Sequence, residues 1–162
     1  MYGEHEFKCM AQVTMEPPPE STIVCSDAAW RKEDKKAGLG WMVTTSRFEI
    51  RRKKPQWHIS SPLVAEGLAI REALLVCKEH DFGNLHLQSD SSPMINAINR
   101  AEPVIEVHGI LSDIHIICCS SDVSISFSWI PIKKMLLLIP YQRKRYVWLR
   151  LYCPHLTWLF EF

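Results

Sequence analysis

Thr22-Ile23-Val24-Cys25-Ser26-Asp27-Ala28 is a short, apolar, β-branched run with a carboxylate late in it, at Asp27. Such a run suits a strand in the middle of a sheet, where both faces are covered. Downstream, the charged turn Arg31 to Lys36 leads into Gly38-Leu39-Gly40-Trp41-Met42-Val43-Thr44, a second strand. After Thr45–Arg47, Phe48-Glu49-Ile50 begins a third strand, which is expected to dissolve into Arg51-Arg52-Lys53-Lys54. Three strands on tight connections make an antiparallel meander. The basic run at its end reads either as a phosphate grip or as the protective charge of a solvated edge strand.

The pattern then changes period. Ser61 is a suitable N-cap with Pro62 at the first helical position, and a helix is expected to about His80. Leu63, Ile70, Leu74 and Cys77 fall at helical spacing, and Ala65, Ala69 and Ala73 allow close packing on a sheet. Glu66 shares the Ile70–Leu74 face, an odd place for a charge. Leu85-His86-Leu87-Gln88-Ser89-Asp90 reads as a fourth strand, Pro93 to Arg100 as a short helix, and Val104 to about Ser120 as a helix with Ile110, Leu111, Ile114 and Ile117 as its stripe. Val123-Ser124-Ile125-Ser126-Phe127-Ser128-Trp129 alternates as a fifth strand. The order β-β-β-α-β-α-α-β predicts an α/β domain with a mixed five-stranded sheet: three antiparallel strands, then βα units with helices packed on the sheet.

Three acids stand out in that order. If the first and fourth strands are parallel neighbours, Asp27 and Asp90 lie close together, and the helix packed across them can carry Glu66 to the same spot. Clustered carboxylates repel unless cations neutralise them, and hard oxygen ligands suit Mg²⁺. Each residue also has a plainer reading. Asp90 before Ser91-Ser92-Pro93 suits a helix-capping role, and Glu66 can reach solvent or pair with Arg71.

Cys25-Ser26-Asp27-Ala28-Ala29-Trp30, Ala37-Gly38-Leu39-Gly40-Trp41 and Ala65-Glu66-Gly67-Leu68-Ala69-Ile70-Arg71-Glu72-Ala73-Leu74 resemble successive blocks of the plant ribonuclease H-like domain of non-LTR retroelements. Leu87-Gln88-Ser89-Asp90-Ser91, Ala97-Ile98-Asn99 and Phe127-Ser128-Trp129-Ile130-Pro131 follow in the same order, so the similarity runs from Ile23 to Pro131. The resemblance implies a ribonuclease H-like fold and a two-metal endonuclease that cuts the RNA strand of an RNA–DNA hybrid. Asp27, Glu66 and Asp90 would be its catalytic and metal-binding residues, with Mg²⁺ or Mn²⁺ as cofactor. The implied partner is nucleic acid, an RNA–DNA hybrid or RNA, gripped through 2′-hydroxyls and phosphates.

The family pattern carries a fourth carboxylate in a C-terminal helix, in a run resembling Asn-x-x-Ala-Asp-x-Leu-Ala-Lys. This chain has no aspartate after Asp122, and its last acidic side chain is Glu161. Residues 1–131 hold 13 Lys and Arg against 17 Asp and Glu, whereas 132–162 hold six basic groups against one acid. Read from the third base of the Lys134 codon, permitted codons can spell Asn-Val-Ala-Ala-Asp-Thr-Leu-Ser-Lys-Lys-Ala-Leu. A frameshift or misplaced splice junction near Ile132 accounts for both the missing motif and the change of charge. The competing readings are a noncatalytic nucleic-acid-binding module, with Lys133, Lys134, Arg143, Lys144, Arg145 and Arg150 interleaved with Tyr141, Tyr146, Trp148 and Tyr152 as a gripping tail, and a retroelement remnant.

The composition fits this picture. The chain has 162 residues, 47% hydrophobic and 23% charged, with formal net charge +1, enough for one core. Residues 1–21, with Pro17-Pro18-Pro19, read as a linker, 22–131 as the domain, and 132–162 as a divergent basic-aromatic tail. Six scattered cysteines without a CxxC pair argue for reduced thiols rather than a zinc site or disulfide scaffold. His58, His86, His108 and His115 show no ligand spacing. The apolar run Met135–Pro140 is too short to span a bilayer, so no membrane partner is expected. With no targeting segment evident, a nuclear or cytosolic location is the expectation.

Overall fold

The computed structural model describes residues 16–131. Their order is β1 (Thr22–Arg31), β2 (Lys36–Thr44), β3 (Glu49–Gln56), α1 (Pro62–Glu79), β4 (Leu85–Ser89), α2 (Ser92–Arg100), a 3₁₀ turn (Ile105–Val107), α3 (His108–Cys119) and β5 (Ile125–Trp129). The strands form one sheet in the order β3-β2-β1-β4-β5. β1–β2 and β2–β3 are antiparallel, β1–β4 and β4–β5 parallel. This is the mixed sheet expected from the sequence. The tail 132–162 and its alternative frame lie outside the described residues, as do 1–15 of the expected linker. Within 16–21, Pro17 to Glu20 are exposed, and the Ser21 N–H closes a turn on the Pro18 carbonyl at 3.2 Å.

Several boundaries move, each for a backbone reason. β3 does not dissolve after Ile50 but runs through the basic cluster, paired with β2 from Thr44↔Glu49 to Ala37↔Gln56. An edge strand needs backbone partners on one side only, so its side chains can be charged, and Pro55 is tolerated there. β1 extends to Arg31, because β2 pairs with it as far as Arg31↔Lys36. α3 starts at His108 rather than Val104, since the segment after Glu102-Pro103 first makes a 3₁₀ turn.

The core lies between the sheet and α1. Val24, Leu39, Trp41, Val43, Leu87 and Phe127 meet Ala69, Ile70, Ala73, Leu74 and Cys77 of α1, with Leu111, Ile114 and Ile117 of α3 behind. Close approach depends on small residues. A Cβ at Gly67 would sit 2.7 Å from the Met94 side chain and 3.1 Å from Ile110. Ser61 caps α1 as expected, its Oγ accepting from the Val64 N–H at 3.2 Å. Cys25 and Cys77 are buried free thiols, Cys118 is buried, and Cys119 is an exposed thiol. Among the described residues, no helix is long and apolar enough to cross a membrane.

Candidate metal centre

The site is built where the sheet changes sense. β1 pairs with β4 only from Thr22↔Leu85 to Ser26↔Ser89. β4 stops there while β1 continues for five residues, so among the described residues the β4-side edge of β1 has no strand beside it from Asp27 onward. Asp90 is the next residue after the last pair, which brings it alongside Asp27. The carboxyl ends of parallel strands, at a reversal of strand order, are the usual ligand position in open α/β sheets.

Side-chain alternation sends Val24 into the α1 side of the sheet and Asp27 to the other. Glu66, one turn into α1, reaches past the end of β4 and accepts a hydrogen bond from the Ala28 backbone. Oxygens of Asp27, Glu66 and Asp90 thereby lie within 4.8 Å of one another. Asp27 is 2% exposed, and the other two are half-buried.

Electrostatics follow from this crowding. Burial pushes the Glu66 carboxyl well above the ordinary carboxylate range; the charges of Asp27 and then Asp90 add to that effect, and the Ala28 bond offsets only part. The second Glu66 oxygen, Oε2, is buried with no hydrogen-bond partner. A buried carboxylate oxygen without a donor is costly, and a hard cation among three carboxylates relieves both the desolvation and the repulsion. The donor set therefore fits a hard divalent cation: all oxygen and convergent.

The plainer readings of the acids do not describe this geometry. Arg71 turns away from Glu66 to Asp113 of α3 at 2.9 Å and to Glu72 at 3.4 Å. The N-cap position of α2 falls on Ser91 rather than Asp90. Among the histidines, His86 is fully buried between Ser126 Oγ at 2.8 Å and Ser128 Oγ at 2.9 Å, a satisfied core residue. Two participants escaped sequence reasoning. The Ala28 N–H has no sequence signal at all. Trp129, whose indole N–H donates to the Asp90 carbonyl at 3.0 Å, was signalled only by its place at the end of the last strand.

A mixed sheet with carboxylates converging beside its central strand defines a ribonuclease H-like domain. The chain belongs to the reverse transcriptase-like family, whose profile matches residues 25–134. Among solved structures it is similar to RNase H1 from the halophilic archaeon Halobacterium salinarum, at 16% identity and TM-score 0.64, covering 70% of this chain and 88% of that one. It is also similar to the N-terminal RNase H domain of a Mycobacterium tuberculosis protein, at 15% identity and TM-score 0.61, covering 78% and 92%. A third is LC11-RNase H1 in complex with an RNA/DNA hybrid, at 17% identity and TM-score 0.61, covering 70% and 88%. No curated protein matches the sequence.

Proposed function

We propose that this domain is a divalent-cation-dependent ribonuclease that cleaves the RNA strand of RNA–DNA hybrids, with Asp27, Glu66 and Asp90 as its catalytic and metal-binding residues. The observation that carries this reading is the meeting of those three carboxylates within 4.8 Å, one of them holding a buried oxygen with no donor. The substrate class is supported by the fold shared with LC11-RNase H1, which was solved with a hybrid. Asp27, deepest of the three, would hold the cations together with Glu66 and Asp90. Bound there, the cations would lower the pKa of an attacking water and stabilise the leaving oxygen. The protein's own part is to hold three charges together and to present the bound strand at the end of β4.

Turnover is expected to be low. The chain lacks any aspartate after Asp122, so the fourth carboxylate of the family pattern is missing. That absence favours one second reading, a noncatalytic hybrid-binding module. The two part in a single assay, with a labelled hybrid, Mg²⁺, EDTA, and the variants Asp27→Asn and Glu66→Gln. Cleavage that EDTA and both substitutions abolish, by at least a hundredfold, supports the nuclease. Hybrid binding without cleavage, indifferent to EDTA and to both substitutions, supports the module.

A further inference from the structure

Trp129 ends β5 in register with Ser89, and 45% of its surface is exposed. Its indole N–H donates to the Asp90 backbone carbonyl at 3.0 Å. The Ser92 N–H donates to the same carbonyl at 3.1 Å, so both lone pairs of that oxygen are engaged. On the preceding residue, the Ser89 carbonyl accepts from the Ile130 N–H at 3.0 Å, and Ser89 Oγ accepts from the Ser91 N–H at 3.2 Å. Asp90 itself follows the last strand pair, so no sheet ladder holds its carbonyl. The indole bond reaches Asp90 from a side chain of another element. Phenylalanine at this position would preserve the ring and the strand pairing; the N–H is what tryptophan adds.

We propose that Trp129 is a positioning residue for Asp90. The claim rests on the reading of Asp27, Glu66 and Asp90 as cation ligands. A carboxylate serves a metal only while its backbone is held to a fraction of an ångström, and the indole bond restrains the turn from which the Asp90 side chain springs. Loss of such an outer partner lowers metal affinity by about ten- to a hundredfold.

Two variants of the full chain test this role. Trp129→Phe keeps a ring and removes the donor; Trp129→Ala removes both. Mn²⁺ binding by titration calorimetry should weaken about tenfold or more in both variants. Hydrogen exchange at the Ser91 and Ser92 amides, followed without metal, should quicken in both variants while melting temperature and circular dichroism of Trp129→Phe stay near those of the wild type. Wild-type Mn²⁺ affinity and unchanged exchange in Trp129→Phe would overturn the positioning role. If the wild type takes up no more Mn²⁺ than Asp27→Asn, the cation reading itself falls and the proposal with it, an outcome distinct from the first.

Discussion

Glu66 is the residue at which the site's electrostatics can be read in solution. Its carboxyl is held above the ordinary range by burial and by Asp27 and Asp90, so the folded chain keeps a proton that the unfolded chain releases. The sign follows: where the folded state binds more protons, stability falls as pH rises, from the usual carboxylate value near 4.3 upward through the raised one. Without metal, melting temperature should therefore decline across that window, and Glu66→Gln should flatten the decline. With Mg²⁺ the trend should shrink, because binding selects the ionised form and expels the proton. A calorimetric titration in two buffers of different ionisation enthalpy would register that proton; equal enthalpies in both would refute it.

At the level of elements, β4 and β5 are joined through His86. The imidazole lies between Ser126 and Ser128, and burial lowers its pKa, which favours the neutral ring. His86→Ala would leave a cavity and two buried hydroxyls short of a partner, with an expected cost of about 2–5 kcal/mol in urea unfolding. β3 offers a test of the interface. Arg51 pairs with Glu49 and Lys54 with Glu72, whereas Arg52 and Lys53 have no carboxylate within ion-pair distance among the described residues. If β3 grips phosphate beside the site, Lys53→Glu, on the sheet face that Asp27 shares through Gly40, should lower hybrid affinity and reduce the salt slope by about 1, while Arg52→Glu on the opposite face should leave the slope unchanged. An unchanged slope in Lys53→Glu would leave β3 as a protected edge. That strand was also the element least legible in the sequence. Its side chains report solvent exposure, while its persistence to Gln56 depends on backbone pairing with β2, which no side chain advertises. α1 was the most legible, since cap, proline and apolar spacing all act within its own residues.

For the whole molecule, the two-sided topology is what makes a site. A meander on one side of β1 and parallel βα units on the other set the site at the end of β4, and the family profile spans it as far as residue 134. The match ends where the acidic-to-basic change begins. Sequencing the transcript across the codons for Pro131 to Met135 should reveal a frame in which the Asn-x-x-Ala-Asp motif is restored. A chain made in that frame should bind Mn²⁺ more tightly and cleave hybrid at least tenfold faster. An intact reading frame through those codons would remove the frameshift account.

Local chemistry was enough to lay out the elements, their order, and three acids at strand ends and on a helix face, because periodicity and capping act over a few residues. Whether those acids would meet was a matter of register. Ser26↔Ser89 as the last parallel pair sets Asp90 beside Asp27, and the early end of β4 lets Glu66 reach the Ala28 N–H. Long-range pairing also brought Trp129 to the Asp90 carbonyl, 39 residues away along the chain. Contacts of that kind arise from the packing of the sheet as a whole, so only the folded chain could decide them.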